Sequence, residues 1–276
     1  MKCMICNSIM LPYFTKHFED YCLGEVDYHR CGSCGFVISK THVDLSNSAW
    51  ENINNQFHAG YHGSNYCPED SHWVARLSRQ AQVIADLATI GLLRTNLPWV
   101  DFGCGDGKLS NMLCEKYSLK LLKFDRYEKE KGYITEATLK RSRFAFAITT
   151  SVLEHLRDRK HLDEIASLVA DDGVMGIHTL VAEEIPCASE WFYLLPVHSA
   201  FYTNKSMQIL FDQWGFTASI YHVESRLWFW FKSNVDQVEK IIAVANARPG
   251  HDNFFYYFKR GFMDYWKHKA TDIIRR

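Results

Sequence analysis

Two cysteine pairs, Cys3-x-x-Cys6 and, 24 residues later, Cys31-x-x-Cys34, carry the strongest chemical signal in this 276-residue sequence. Each pair brings two thiolates together on a tight knuckle, and Gly32 and Gly35 give the second knuckle backbone freedom. Two knuckles form an all-thiolate tetrahedral set, the donor set of structural zinc, and four such ligands leave the ion no open position for chemistry. A single redox Cys-x-x-Cys does not account for the second pair. Nine cysteines in a chain without a secretion signal read as reduced thiols rather than bridges. Zn2+ on Cys3, Cys6, Cys31 and Cys34 is therefore expected to have a structural role, and Cys22, with no partner at ligand spacing, is read as an ordinary small apolar residue.

A second constellation lies farther along the chain. The apolar run Leu97–Phe102 reads as a buried strand, Gly103-Cys104-Gly105-Asp106-Gly107 breaks it, and a helix follows over Lys108–Tyr117. Such a turn lets backbone amides approach a ligand closely while the helix N-terminus faces it. The next apolar run, Leu119–Phe124, ends in Asp125, whose carboxylate can accept both hydroxyls of a ribose, so a nucleoside is the implied ligand. A dinucleotide fingerprint would need glycine at position 108, whereas the third glycine comes one residue early, at Gly107.

The run Asp101-x-Gly103-x-Gly105-x-Gly107, with Asp125 beyond it, resembles the first motif of class I methyltransferases, which holds S-adenosylmethionine (SAM). Ser151-Val152-Leu153-Glu154-His155-Leu156 is close to a Glu-Val-Leu-Glu-His-Leu run common in those enzymes. His198, Phe201-Tyr202, a helix over Met207–Trp214 and Gly215-Phe216 resemble a signature of methyltransferases acting on sugars and quinones. The resemblance covers about residues 73–232 and implies a Rossmann-like α/β sheet. It places SAM on Asp101, Gly103, Cys104, Gly105, Gly107, Asp125 and Arg126, and on Thr150 and Ser151 just after the fourth strand. The cysteine module ahead of it is similar to one found in bacterial sugar methyltransferases. In one departure, Ala145 follows Phe144 where the family usually has Asp. Only 19 residues separate Asp125 from Ala145, so the third strand is expected to be short or missing. Tyr127 or Tyr133 then either stacks on the adenine or packs in the ordinary way.

Methyl transfer needs an aligned acceptor and, for a hydroxyl, a base. Glu154, His155, His178 and His198 are the candidates, and Glu154 and His155 follow the expected fourth strand, Arg143–Thr149, at the edge where open α/β sheets bind ligands. Three readings stay open for Glu154, His155 and His198: a histidine base, residues that cap or pack, or a divalent ion such as Mg2+. The last is implied by the resemblance to quinone-biosynthesis and small-RNA 3′-end methyltransferases, although Ser151 replaces their first carboxylate. His178, among apolar neighbours, is expected in the core. Trp191 and Tyr193, with Phe192 between them, and Tyr202 form with His198 either an aromatic substrate wall or an apolar plug.

Positioning these residues requires further elements. Val74, Leu77, Ala81, Ile84, Leu87 and Ala88 predict a helix over Trp73–Gly91. Residues 41–71 read as an irregular, aromatic-bearing lid, and the run from Phe254 to Trp266 as a packed helix. The expected division is 1–40 zinc module, 41–72 linker, 73–232 SAM-binding domain and 233–276 helical extension. A formal net charge of −1 supplies no field for a long nucleic acid. This argues against an RNA methyltransferase, while the intact glycine turn argues against a non-catalytic scaffold. No apolar run reaches the roughly 18 residues that span a bilayer, and the N-terminus lacks a signal-peptide pattern, which reads as a cytoplasmic protein. The resemblance implies O-methylation of a small hydroxylated metabolite such as a sugar, nucleotide-sugar or glycan.

Overall fold

Short apolar strands separated by amphipathic helices dictate a layered α/β architecture. The computed structural model shows one over residues 1–62, 71–128, 131–248 and 255–267. The strands are β1 (Met10–Phe18), β2 (Gly24–Cys31), β3 (Val37–Ser39), β4 (Trp99–Phe102), β5 (Leu122–Phe124), β6 (Phe144–Thr150), β7 (Val169–His178), β8 (Val181–Ala182), β9 (Ala200–Thr203), β10 (Ala218–His222), β11 (Leu227–Phe231) and β12 (Tyr256–Arg260). The helices are α1 (Lys40–Asp44), α2 (Asn47–His62), α3 (Ser71–Thr89), α4 (Lys108–Tyr117), α5 (Glu136–Arg141), α6 (Arg159–Ser167), α7 (Asn204–Gln213) and α8 (Val235–Asn246), with a 3-10 turn at Leu153–His155.

The chain forms two units, one of residues 1–69, 151–162 and 179–210, the other of 70–150, 163–178 and 211–276. This differs from the linear division expected from sequence. The cause is strand pairing: β3 takes β9 as its antiparallel neighbour, Val37 opposite Phe201 and Ile38 opposite Ala200, and β8 lies parallel to β9. The cysteine-bearing strands therefore share one sheet, ordered β1-β2-β3-β9-β8, with a segment that linear reading assigned to the SAM-binding domain.

The second unit holds a seven-stranded sheet ordered β12-β10-β11-β7-β6-β4-β5. Strands β5, β4, β6 and β7 run parallel, and β6 is buried along nearly its whole length, as a central parallel strand must be. Ala81, Ile84 and Leu87 of α3 pack into the same core as Phe146, Ile148 and Phe229. The third strand expected between Asp125 and Ala145 is reduced to a single parallel bridge, Lys123 to Tyr133.

Three further expectations are corrected. Residues 40–44 and 47–62 are helical, the second because Trp50, Ile53 and Phe57 recur at helical spacing and pack with Val197, which outweighs the weak helix propensity of the asparagines. Among the aromatics expected in that lid, Tyr66 lies outside the described residues. Phe255–Trp266 is not one helix: Tyr256–Arg260 pairs with β10, Ile220 opposite Phe258, as an aromatic run with high strand propensity can. The hydroxyl of the buried Tyr256 donates to Asp86. Cys22 is exposed, at a φ of 56° in the turn joining β1 to β2, rather than packed as a small apolar residue. No helix among the described residues is long and apolar enough to cross a membrane.

Candidate functional site

The glycine turn joins β4 to α4 with Gly103, Gly105 and Gly107 all at positive φ, 73°, 51° and 71°. Gly103 and Cys104 donate their amides to the carbonyl of Phe124, which ties the turn to the end of β5. Gly105 donates its amide to Asp125 Oδ2 at 2.9 Å, and its carbonyl accepts from the Tyr133 hydroxyl at 2.6 Å. The Oδ1 of Asp125 accepts from the amide of Tyr127 at 2.9 Å, which fixes the carboxylate's plane. A Cβ built on Gly105 would meet nothing within 4 Å, so the backbone there faces open space that a ligand can enter.

Asp101 is buried, and its Oδ1 has no hydrogen-bond partner. Burial first, and the nearby Asp125 carboxylate second, push its acid up to about 7. A buried carboxylate with one unpartnered oxygen beside an open glycine turn fits a cationic group such as the α-ammonium of an amino acid. Burial also raises the Cys104 thiol, which stays protonated. Arg126 forms an ion pair with Glu164, and Tyr127 is exposed. Tyr133, one of two residues weighed for the adenine, has its hydroxyl committed to the glycine turn.

The four cysteines of the paired knuckles converge. Cys3 Sγ lies 3.7 Å from Cys34 Sγ, and Cys6 Sγ 3.4 Å from Cys31 Sγ. All four sulfurs lie within 4.8 Å of one another. A tetrahedral zinc with bonds of about 2.3 Å sets its sulfurs about 3.8 Å apart, so the donor set fits that ion.

Glu154, His155 and His198 form a second cluster, their ligand atoms also within 4.8 Å of one another. The Glu154 carboxylate is buried and accepts from two hydroxyls, Thr179 Oγ1 at 2.9 Å and Tyr193 at 2.6 Å. The Nδ1 of His198 donates to the carbonyl of Tyr193 at 2.8 Å, and among the described residues no hydrogen bond engages Nε2. This bond fixes the tautomer with Nε2 as the basic nitrogen. Burial lowers the His198 imidazole, against the opposing pull of Glu154 and the Tyr193 carbonyl. His155, its Nδ1 buried and unpartnered, is lowered further by burial and then by His198 and His58. Both rings are therefore neutral at pH 7. Just before this turn, Ser151 holds a φ of 55°, a conformation that non-glycine residues adopt where the surroundings enforce it.

The aromatic wall divides. Trp191 packs on Phe201 in the first unit's core, Phe192 is exposed, and Tyr193 lies on His198 with ring centroids 4.5 Å apart. Tyr202 is buried, with its hydroxyl donating to the Leu153 carbonyl at 3.0 Å, so it braces the 3-10 turn and presents no surface to a substrate. His178 is in the core as expected, its imidazole lowered to about 3 by burial. Sequence reasoning missed Thr179, which faces Glu154, and His58, whose ring lies 5.9 Å from His155. Neither stands in a motif, and only tertiary contact brings them to the cluster.

A family described as "Methyltransferase domain" matches residues 72–219, more than half of the chain. No curated protein matches the sequence. Among solved structures, magnesium protoporphyrin IX methyltransferase from Synechocystis PCC 6803 with bound SAH is 14% identical, covering 65% of this chain and 94% of that one, with a TM-score of 0.44. A SAM-dependent methyltransferase from Archaeoglobus fulgidus is 16% identical, covering 61% and 77%, with a TM-score of 0.39. An O-methyltransferase family protein from Burkholderia thailandensis is 10% identical, covering 71% and 63%, with a TM-score of 0.42.

Proposed function

The chain belongs to the methyltransferase-domain family and is a SAM-dependent methyltransferase, and from that premise we propose that it methylates a hydroxyl of a small metabolite such as a sugar, nucleotide-sugar or glycan. The observation that carries this reading is His198: a neutral, oriented imidazole whose Nε2 is uncommitted can take the proton of a hydroxyl acceptor.

Bound SAM supplies an electrophilic methyl group on its sulfonium. Asp125 would accept the ribose hydroxyls and Asp101 would meet the ammonium end, while Gly105 leaves open space for the ligand. Tyr193 holds His198 in its basic tautomer, while the same residue's hydroxyl and Thr179 fix the position of the Glu154 carboxylate beside it. Screening transfer of labelled methyl from SAM into small-molecule, polysaccharide and RNA fractions of a cell extract tests the acceptor class. Label in the small-molecule or polysaccharide fraction is expected, and label confined to RNA would overturn this reading.

A second reading, in which Glu154, His155 and His198 hold a divalent ion, is supported by the approach of their ligand atoms to within 4.8 Å. Two imidazoles and one carboxylate suit a first-row transition ion better than Mg2+, which prefers oxygen. Activity that chelator abolishes and added metal restores, with folding monitored in parallel, would favour this reading over the metal-free base.

For Cys3, Cys6, Cys31 and Cys34 the sulfur geometry supports one structural zinc. Metal analysis of the purified protein is expected to find about one zinc per chain. Cys31→Ser should remove the zinc and cost several kcal/mol of stability, about the scale of losing a core side chain. A folded, zinc-free wild type with reduced thiols would overturn the assignment.

A further inference from the structure

Both segments that carry the titratable cluster are bonded to the backbone of the cysteine knuckles. Arg159, four residues beyond His155, donates through Nη1 to the carbonyls of Met4 at 3.2 Å and Ile5 at 3.3 Å, the two residues enclosed by Cys3 and Cys6. Thr203, five residues beyond His198, donates through Oγ1 to the carbonyl of Cys34 itself. Its methyl carbon lies 3.0 Å from where a Cβ on Gly35 would stand, so the second knuckle packs directly against β9.

These two ties converge on the cluster. Ser199, next to His198, donates its amide to the Glu154 carbonyl at 2.8 Å, and its own carbonyl accepts from the amide of Ser39 at the end of β3. Tyr202 donates to Leu153, the residue before Glu154. Arg157, beside Arg159, reaches the carbonyls of His42 and Leu45 at 2.9 and 2.8 Å. The 3-10 turn that bears Glu154 and His155 thus has its following residues pinned to the first knuckle, and the strand after His198 is pinned to the second. All of these contacts lie within the first unit.

A knuckle's carbonyls keep fixed positions only while its thiolates are held, because the backbone between two ligands of one ion loses most of its freedom on binding. We propose that the four-cysteine centre is a positioning element for Glu154, His155 and His198, acting through Arg159 and Thr203, so that zinc sets the order of the acceptor side and leaves cofactor binding untouched. This rests on the zinc and histidine assignments proposed above. Arg159 and Thr203 are its positioning residues; neither is placed against a reacting atom.

Hydrogen exchange on the full chain, before and after zinc is stripped by a chelator under reducing conditions, tests it. Exchange over 152–159 and 198–203 should quicken by about ten-fold or more, while 99–107 and 122–125 hold their rates. The affinity for S-adenosylhomocysteine should change less than about two-fold, since no group near the glycine turn is altered. Arg159→Met keeps the knuckle's thiols and much of the side chain's length but removes the donors. It should leave zinc content and S-adenosylhomocysteine affinity at wild-type values, speed exchange over 153–156, and shift the ring signals of His155 and His198 in NMR spectra. Quickening confined to residues 1–40, or unmoved histidine signals in Arg159→Met, would overturn the inference with the zinc assignment intact. A wild type without zinc would remove the zinc assignment and this inference together. If stripping unfolds the whole chain, the Arg159→Met signals decide.

Discussion

Gly105→Arg is expected to leave S-adenosylhomocysteine binding undetectable by calorimetry, a loss of at least about 10³-fold, in a protein that still folds. Gly105 stands at a φ of 51°, where a side chain costs about 1 kcal/mol of backbone strain. A Cβ there meets no protein atom within 4 Å, so the fold loses little beyond that strain. The arginine would instead extend into the space from which the ligand must approach. Gly107 differs in that a Cβ there would lie 2.7 Å from Cδ and Cε of Lys123, the far end of a flexible side chain that can move aside. Gly107→Ala and Gly105→Ala should therefore lower the melting temperature by similar small amounts, both through backbone strain at positive φ, while Gly105→Arg should be the variant that separates binding from folding. Asp125→Ala should weaken binding by about 1–3 kcal/mol through lost ribose acceptors, with part of the loss coming from release of the Gly105 amide. Wild-type affinity in Gly105→Arg would remove the cofactor assignment.

What sequence could tell about these sites divides along a physical line. The glycine turn, Asp125 and the cysteine pairs were legible because each is a local device: strand, turn and helix follow one another within a few residues, and a knuckle needs only its own loop. The shortened third strand was legible as well, from the 19 residues available between Asp125 and Ala145. The division of the chain was not, because it depends on β3 pairing with β9, strands separated by more than 150 residues whose edges carry no label for their partners. Glu154 shows the same limit. Its place beside His198 could be guessed from a resemblance, but the two hydroxyls that occupy its oxygens, from Thr179 and Tyr193, come from a segment that carries no motif linking it to Glu154. The asparagine-rich stretch at 47–55 misled in the opposite direction, since local propensity pointed to a loop while three apolar side chains at helical spacing found a core to pack on.

His198→Ala is expected to lower the methyl-transfer rate by about 10²- to 10⁴-fold while S-adenosylhomocysteine affinity stays near wild type. The size follows from the role proposed for His198: a positioned base would be lost, and the proposed site of the methyl donor is not touched. His155→Ala serves as the comparison, because its Nδ1 is buried without a partner and its ring is tied to the Val197 backbone, whereas His198 keeps Nε2 uncommitted while the Tyr193 carbonyl orients it. The smaller loss should therefore come from His155. The pH dependence gives a second, independent check. Burial holds the His198 imidazole below its ordinary value of 6.5, so the neutral, basic form persists as pH falls from 8 through 6.5. The rate should decline only below that point, as the ring takes up a proton. Folding stability has the same sign: the unfolded chain binds protons at His155 and His198 below about 6.5 more readily than the folded one does, so acidification through that range removes stability. Measuring kcat/KM against pH beside a thermal unfolding series separates the two effects, since loss of the folded state moves the melting curve whereas protonation of the base alone moves only the rate. Tyr193→Phe provides the last discriminating result. It removes the hydroxyl that Glu154 accepts but keeps the backbone carbonyl that orients His198. A rate loss well below that of His198→Ala is expected, and a loss as large would shift the essential role from the imidazole to the carboxylate and favour the metal-bound form of the site.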